Sequence, residues 1–200
     1  MPPRTDRAAC MALLEPSLGR LSDGTALVLR SARPGDARAL IALTRAVLAT
    51  SAYMVQEADE YTATVRGKRA WIASQQDSAT GLYLVAEAAG RLVGFADCRA
   101  EHRRRRRHAV TLGLAIDAAW RGRGIGRALA ARVLEWARAN PALQRVELHV
   151  QADNAHAIAL YRSLSFVEEG RRTGALKDAD GRLIDDLLMC AFVGDGHAGA

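Results

Sequence analysis

Cysteine is scarce in this chain: Cys10, Cys98 and Cys190 are the only three among 200 residues. They are odd in number and too widely spaced for a disulfide framework. There is no C-x-x-C pair and no histidine spacing suited to zinc, so no metal is expected and the thiols read as reduced, in a cytoplasmic protein. Long apolar runs are missing too. The one early run, Ala8 to Leu14, ends at Glu15, is too short to cross a bilayer and lacks a convincing cleavage site, so no membrane association is expected. Aromatic residues make up only 5%. So few rings on which bases could stack argues against nucleic acid, although the net charge of +6 favours anionic partners in general.

What the chain does have is hydrophobic content: half of its residues, enough at this length to bury the core of one domain without requiring a second. Residues 1–24 mix Pro, Arg, Ser and Gly without periodicity and read as a flexible extension, residues 25–193 as the domain, and residues 194–200 as a flexible tail. Thr25 to Arg30 reads as a first strand. Pro34-Gly35-Asp36 can start a helix with Leu40, Leu43, Val47 and Leu48 on one face, ending near Thr50. Ser51 to Tyr61 breaks the pattern and gathers Glu57, Asp59 and Glu60; Val65 to Gln75 resumes as a helix with Trp71 and Ile72 expected inward. Leu82 to Glu87 and Leu92 to Ala100 flank Ala89-Gly90-Arg91 as a hairpin. Arg103 to Arg107, an unbroken arginine run between His102 and His108, reads as a solvated loop. A nucleic-acid or acidic-partner patch is the sharper alternative.

The stretch from Leu112 to Phe166 organises the rest. Val110 to Ile116 is an apolar run read as a buried strand, Arg121-Gly122-Arg123-Gly124-Ile125-Gly126 is a glycine-rich turn, and Ile125, Leu129, Val133 and Trp136 recur at helical spacing until Asn140-Pro141. Arg145 to Gln151 alternates as a second strand, completing a βαβ unit. A glycine turn opening a helix suits an anion, because free N–H groups and the helix dipole converge there. No Lys-Ser or Lys-Thr follows the glycines, which excludes a P-loop. A dinucleotide turn would put its third glycine at Leu129, although Glu147 stands where a ribose-binding acid could, which keeps that reading open.

Arg121-x-x-Gly124-x-Gly126 resembles the R/Q-x-x-G-x-G/A signature of the GNAT superfamily of N-acetyltransferases. Further downstream, Asn154 and Tyr161 match its Asn followed two turns later by Tyr. Ser165-Phe166 stands where the family usually shows Gly-Phe, and Asp185-Asp186-Leu187-Leu188-Met189 resembles its closing D-x-L-x-M, carried on a hairpin for which Asp180-Gly181 suits a two-residue type I′ turn. The resemblance covers roughly Leu27 to Val193. It implies an α/β fold with a mixed, mostly antiparallel sheet, one parallel splayed pair and helices on both faces. It also implies transfer of an acetyl group from acetyl-CoA to a primary amine, the overall pattern being most similar to bacterial enzymes acting on amino acids or other small amines. Acetylation of a protein N-terminus or an antibiotic amine, and a non-catalytic coenzyme- or nucleic-acid-binding module, stand as alternatives. Homodimers are common among resembling proteins.

By the same resemblance, Arg121, Gly122, Arg123, Gly124, Ile125 and Gly126 hold the pyrophosphate of the coenzyme, and the backbone of Leu114, Ala115 and Ile116 bonds to its pantetheine. Asn154 contacts the coenzyme or an ordered water as well as capping a helix. Tyr161 is the proton donor to the leaving thiolate, since a phenol of ordinary pKa about 10 stays protonated near neutrality. No carboxylate lies on the fourth strand, where some members place a base; Glu57, Glu60, Asp97 and His149 remain candidates, beside chains of water. Cys98 and Cys190 read as packing residues.

Overall fold

The computed structural model describes residues 13–101 and 103–194. Cys10, His102, residues 1–12 of the expected extension and residues 195–200 of the expected tail lie outside them. The described part of the extension is not all free: Ser17–Arg20 (β1) pairs antiparallel with Ala26–Ser31 (β2), from Ser17↔Leu29 to Arg20↔Ala26. Local composition hid this strand, because its partner supplies the ladder. The remaining elements are α1 (Ala37–Leu48), α2 (Val65–Gln76), β3 (Leu82–Ala88), β4 (Arg91–Ala100), β5 (Ala109–Ile116), α3 (Ile125–Ala139), β6 (Arg145–Gln151), α4 (Ala155–Arg162), β7 (Val167–Lys177) and β8 (Leu183–Phe192). The expected fourth strand is therefore β5.

All eight strands form one sheet in the order β1-β2-β3-β4-β5-β6-β8-β7, antiparallel everywhere except β5–β6. β3 is buried along nearly its whole length, as a central strand covered on both faces must be. The sheet divides the core. Leu40, Leu43 and Val47 of α1 and Ile72 of α2 pack on Tyr83, Val85, Phe95 and Ala115. The opposite face carries Ile125, Leu129, Val133 and Trp136 of α3 with Ile158 and Tyr161 of α4. The 3.6-residue period makes both faces possible, since one stripe of each helix meets the sheet. That period also corrects the inward pair on α2: Ile72 is fully buried but Trp71 is 38% exposed, because adjacent helical residues diverge by about 100°. No helix among the described residues is long and apolar enough to cross a membrane.

Two turns differ in detail from expectation. Asp180-Gly181 is not a two-residue turn; residues 178–182 form a five-residue loop in which Asp178 accepts from the Arg182 N–H at 2.8 Å and only Gly181 takes positive φ. At Ala89-Gly90 both residues take positive φ, 49° and 71°, which is the pattern of a type I′ hairpin.

Candidate active site

β5 and β6 pair only through Ala109↔Arg145, Val110↔Val146 and Thr111↔Glu147, then part. β5 stays with β4 as far as Ile116, and β6 stays with β8 as far as Gln151. A wedge-shaped opening in the sheet results. The Asp117 N–H donates to Val93 O at 3.0 Å, continuing the β4–β5 register. By alternation, the backbone groups of Leu114 and Ile116 turn away from β4 into the opening, while those of Ala115 are taken up by β4. Of the three residues expected to bond pantetheine, Leu114 and Ile116 thus have backbone groups open to the gap, and Ala115 does not.

At the mouth of the opening α3 begins. Gly122 and Gly124 hold φ of 74° and 86°, left-handed values that L side chains rarely adopt. Gly126 is not required by the packing of the protein itself: a Cβ there would meet Leu160 of α4 at 3.4 Å and Leu114 of β5 at 3.7 Å, ordinary contact distances. The first helical bond runs from the Ala128 N–H to Gly124 O at 3.0 Å, so the N–H groups of Ile125, Gly126 and Arg127 have no carbonyl behind them. With the dipole these make an anion site. Ile125 contributes only its backbone, its side chain being core.

The arginines of the turn are placed otherwise than the signature suggests. Arg121 donates to Ile116 O (3.2 Å), Thr50 O (3.1 Å) and Thr50 Oγ1 (3.3 Å). Its guanidinium ties the end of α1 to the glycine turn, and so does not stand free for a phosphate. Arg123 pairs with Asp23 at 2.9 Å and lies 4.8 Å from the Trp120 ring centroid. Arg127, missed in the sequence, is the exposed cation on the first turn of α3, and donates to the Ser163 hydroxyl. Its spacing from Gly124 was the available signal.

Asn154 caps α4, its side-chain oxygen accepting from the Ala157 N–H at 3.1 Å. Seven residues on, Tyr161 faces the same side of the sheet as α3, 9% exposed and 5.6 Å from the Phe166 ring. No protein group hydrogen-bonds its hydroxyl among the described residues. Burial pushes the phenol's pKa up to about 12, so it keeps its proton throughout the neutral range.

The candidate bases separate clearly. Glu57 and Glu60 lie ahead of the α2 cap at Thr64, and the Glu60 carboxylate accepts from the Glu57 N–H at 2.8 Å, a local loop contact. Asp97 is opposite Gly113, and a Cβ at Gly113 would come within 2.6 Å of its carboxylate, which therefore leans over β5 towards the opening. Burial raises the Asp97 pKa, only partly offset by Arg99, 3.7 Å away, and Lys68. His149 turns its Nδ1 to Asp186, 2.9 Å away. Asp186, not the motif's Asp185, is thus the carboxylate that meets the His149 ring; Asp185 accepts from Arg171 and the Gly174 N–H.

All five arginines of the run are exposed, and Arg106 is also fastened to Glu147 at 2.8 Å, so the solvated loop has an anchor. This also engages the acid that could have served a ribose. Cys98 and Cys190 are buried in the sheet, and burial raises both thiols, Cys190 to about 11, as packing residues require. Among the described residues no group of three or more His, Cys, Asp or Glu could hold a metal ion.

A profile of the acetyltransferase (GNAT) family matches residues 48–166. L-amino acid N-acetyltransferase AaaT of Escherichia coli (strain K12) is 36% identical over 91 residues, 44% of this chain and 54% of that protein. N-alpha-acetyltransferase RimI of Mycobacterium tuberculosis (strain ATCC 25618 / H37Rv) is 38% identical over 90 residues, 45% of this chain and 54% of that protein. The chain thus spans about half the length of these curated relatives. An acetyltransferase of the GNAT family from Streptococcus pneumoniae superposes with a TM-score of 0.80 at 29% identity, over 84% of this chain and 99% of that one. The structure of yncA from Salmonella typhimurium, solved with acetyl-CoA, superposes with a TM-score of 0.76 at 22% identity over 87% and 98%, a likeness of fold.

Proposed function

Because the chain belongs to the acetyltransferase (GNAT) family, we propose that it moves the acetyl group of acetyl-CoA to the primary amine of a small molecule such as an amino acid, by direct attack of the amine on the thioester. The observation that carries this reading is the opening between β5 and β6 with an unpartnered helix start at its mouth. Its parts fit the coenzyme: N–H groups of the first turn and Arg127 suit the pyrophosphate, and the outward backbone of Leu114 and Ile116 suits an extended amide chain. Asn154, which caps α4 just beyond the end of β6, completes the coenzyme contacts in this reading. Tyr161 holds a proton for the departing sulfur. The amino-acid acceptor draws support from the name of the Escherichia coli relative.

A second reading, acetylation of a peptide N-terminus, draws equal support from the mycobacterial relative. Acetyl-CoA-dependent thiol release with a panel of L-amino acids, other small amines and a peptide with a free α-amine separates the two. Release with amino acids and not with the peptide is the expected result. Release with the peptide alone would move the assignment to the second reading, and coenzyme binding without release by any amine would overturn both. The cytoplasmic setting expected from the cysteines belongs to the same proposal.

A further inference from the structure

On the α1–α2 face of the sheet, two strands present polar side chains to the opening from opposite sides. Along β6, Leu148 and Val150 join the core under α3, so His149 and Gln151 point to the other face. Asp97 does the same on β4, since Ala96 and Cys98 belong to that same core. Continuing the β5–β6 register two residues past Thr111↔Glu147 brings His149 level with Gly113. Gly113, which lacks a side chain, is overhung by the Asp97 carboxylate. The result is a gap, floored by a glycine, with a carboxylate on one wall and an imidazole on the other. Gln151 donates to Ala52 O at 3.4 Å and Arg121 holds Thr50, so the loop after α1 is drawn to the same place.

We infer that His149, oriented by Asp186, is the base that removes the proton of the acceptor ammonium. The inference rests on the acetyl-transfer reading. Asp186 is 4% exposed and holds Nδ1 of the ring, while the His149 side chain is 42% exposed and no group among the described residues hydrogen-bonds its Nε2. Arg172 of β7 donates from Nε to the same carboxylate at 2.9 Å, and pins it. An Nδ1–H bonded to a carboxylate leaves Nε2 as the acceptor. The other charged groups facing this part of the sheet are Asp97 across Gly113, with Arg99 of β4 and Lys68 of α2 beside it, and Glu147 further down β6, paired with Arg106 and Arg145. Tyr161 belongs to the opposite face, so acid and base reach the opening from opposite sides.

The step balances. The amine nitrogen forms a bond to the carbonyl carbon as the carbon–sulfur bond breaks. Of the two protons the nitrogen loses, one passes to Nε2 of His149 and on to solvent, and the other replaces the proton that Tyr161 gives to the thiolate. Asp186 and Arg172 act only by positioning the ring.

Two measurements on the intact chain test this. In ¹⁵N spectra of the histidine rings, assigned by His149→Gln, the neutral His149 ring should carry its proton on Nδ1, and Asp186→Asn should abolish that preference. A proton on Nε2 in the wild type would overturn the inference. In kinetics with an amine found in the panel, His149→Gln should lower kcat/KM by about 10²-fold, the low end for general base catalysis. The acidic limb of the pH profile should go with it, while coenzyme A affinity by calorimetry stays within about twofold, which also certifies folding. An active wild type matched by His149→Gln across pH overturns this inference alone; a wild type that acetylates no amine overturns the acetyl-transfer reading and this inference with it.

Discussion

Tyr161 and Asp97 are both shifted by burial, with opposite consequences. For the phenol, burial extends the range over which it can donate, its pKa being pushed up to about 12. Tyr161→Phe keeps the ring against Phe166 and loses no hydrogen bond to the described protein. It should fold like the wild type, bind coenzyme A about as well, and lose at least about tenfold in kcat, with water limiting the loss. Wild-type kcat should show no decline attributable to Tyr161 until pH approaches that raised value; an unchanged kcat in the variant would make it a packing residue. For Asp97 burial penalises the charge the residue carries at neutrality. A carboxyl whose folded pKa lies above its unfolded value of about 3.9 adds stability below that value and loses it as pH rises through the folded one. Asp97→Asn should therefore melt higher than the wild type near neutral pH, by about 2–4 °C per kcal/mol relieved in a chain of this size. The gap should close as pH falls towards about 4. Melting curves across pH check it, and a variant that melts lower at neutrality would contradict it.

Between residue and molecule, the joint after α4 shows how an element is ended at a cost. Ser165 takes φ of 66° so that the chain can turn from α4 into β7, with the Phe166 N–H returning to Tyr161 O at 3.1 Å. A left-handed L-residue costs roughly 1–2 kcal/mol, and Ser165 is exposed, with no side-chain bond among the described residues to offset it. Glycine removes that strain but adds entropy to the unfolded chain. Ser165→Gly should net about 0.5–1 kcal/mol, read as a rise of a few degrees in Tm, with coenzyme affinity unchanged. The position of Tyr161 depends on this joint, so a lower Tm would mean that Ser165 makes a contact worth more than its strain.

For the molecule as a whole, coenzyme binding should report on folding. A ligand that binds only the folded chain stabilises it by about 2.7 kcal/mol at a hundredfold excess over Kd, so coenzyme A should raise Tm by several degrees. Gly126→Glu separates the site from the fold. An acid in the first turn of α3 suits the helix dipole, and the Cβ meets Leu160 and Leu114 at ordinary contact distances, so the free protein should lose little stability. The same charge beside the pyrophosphate should abolish the coenzyme-induced shift. A variant that keeps the full shift would remove the anion site from the turn.

The sequence by itself determined what short-range periods carry. The βαβ unit, the glycine turn, the Asn154 cap and its one-face spacing to Tyr161, and the hairpin at Ala89-Gly90 each depend on residues within a few turns of one another. Charge runs, caps and alternation are legible at that range. The tertiary structure alone decided the pairing of β1, the tie from Arg121 to Thr50 across 71 residues, and the pairing of His149 with Asp186 across 37. It also set Asp97 above Gly113 and turned the backbone of Ala115 away from the opening. The physical reason is cross-strand register: shifting a strand by one residue exchanges its two faces, and no local pattern specifies which distant residue will stand opposite. The family signature therefore located the opening, whereas the groups that flank it are known only from how eight strands align.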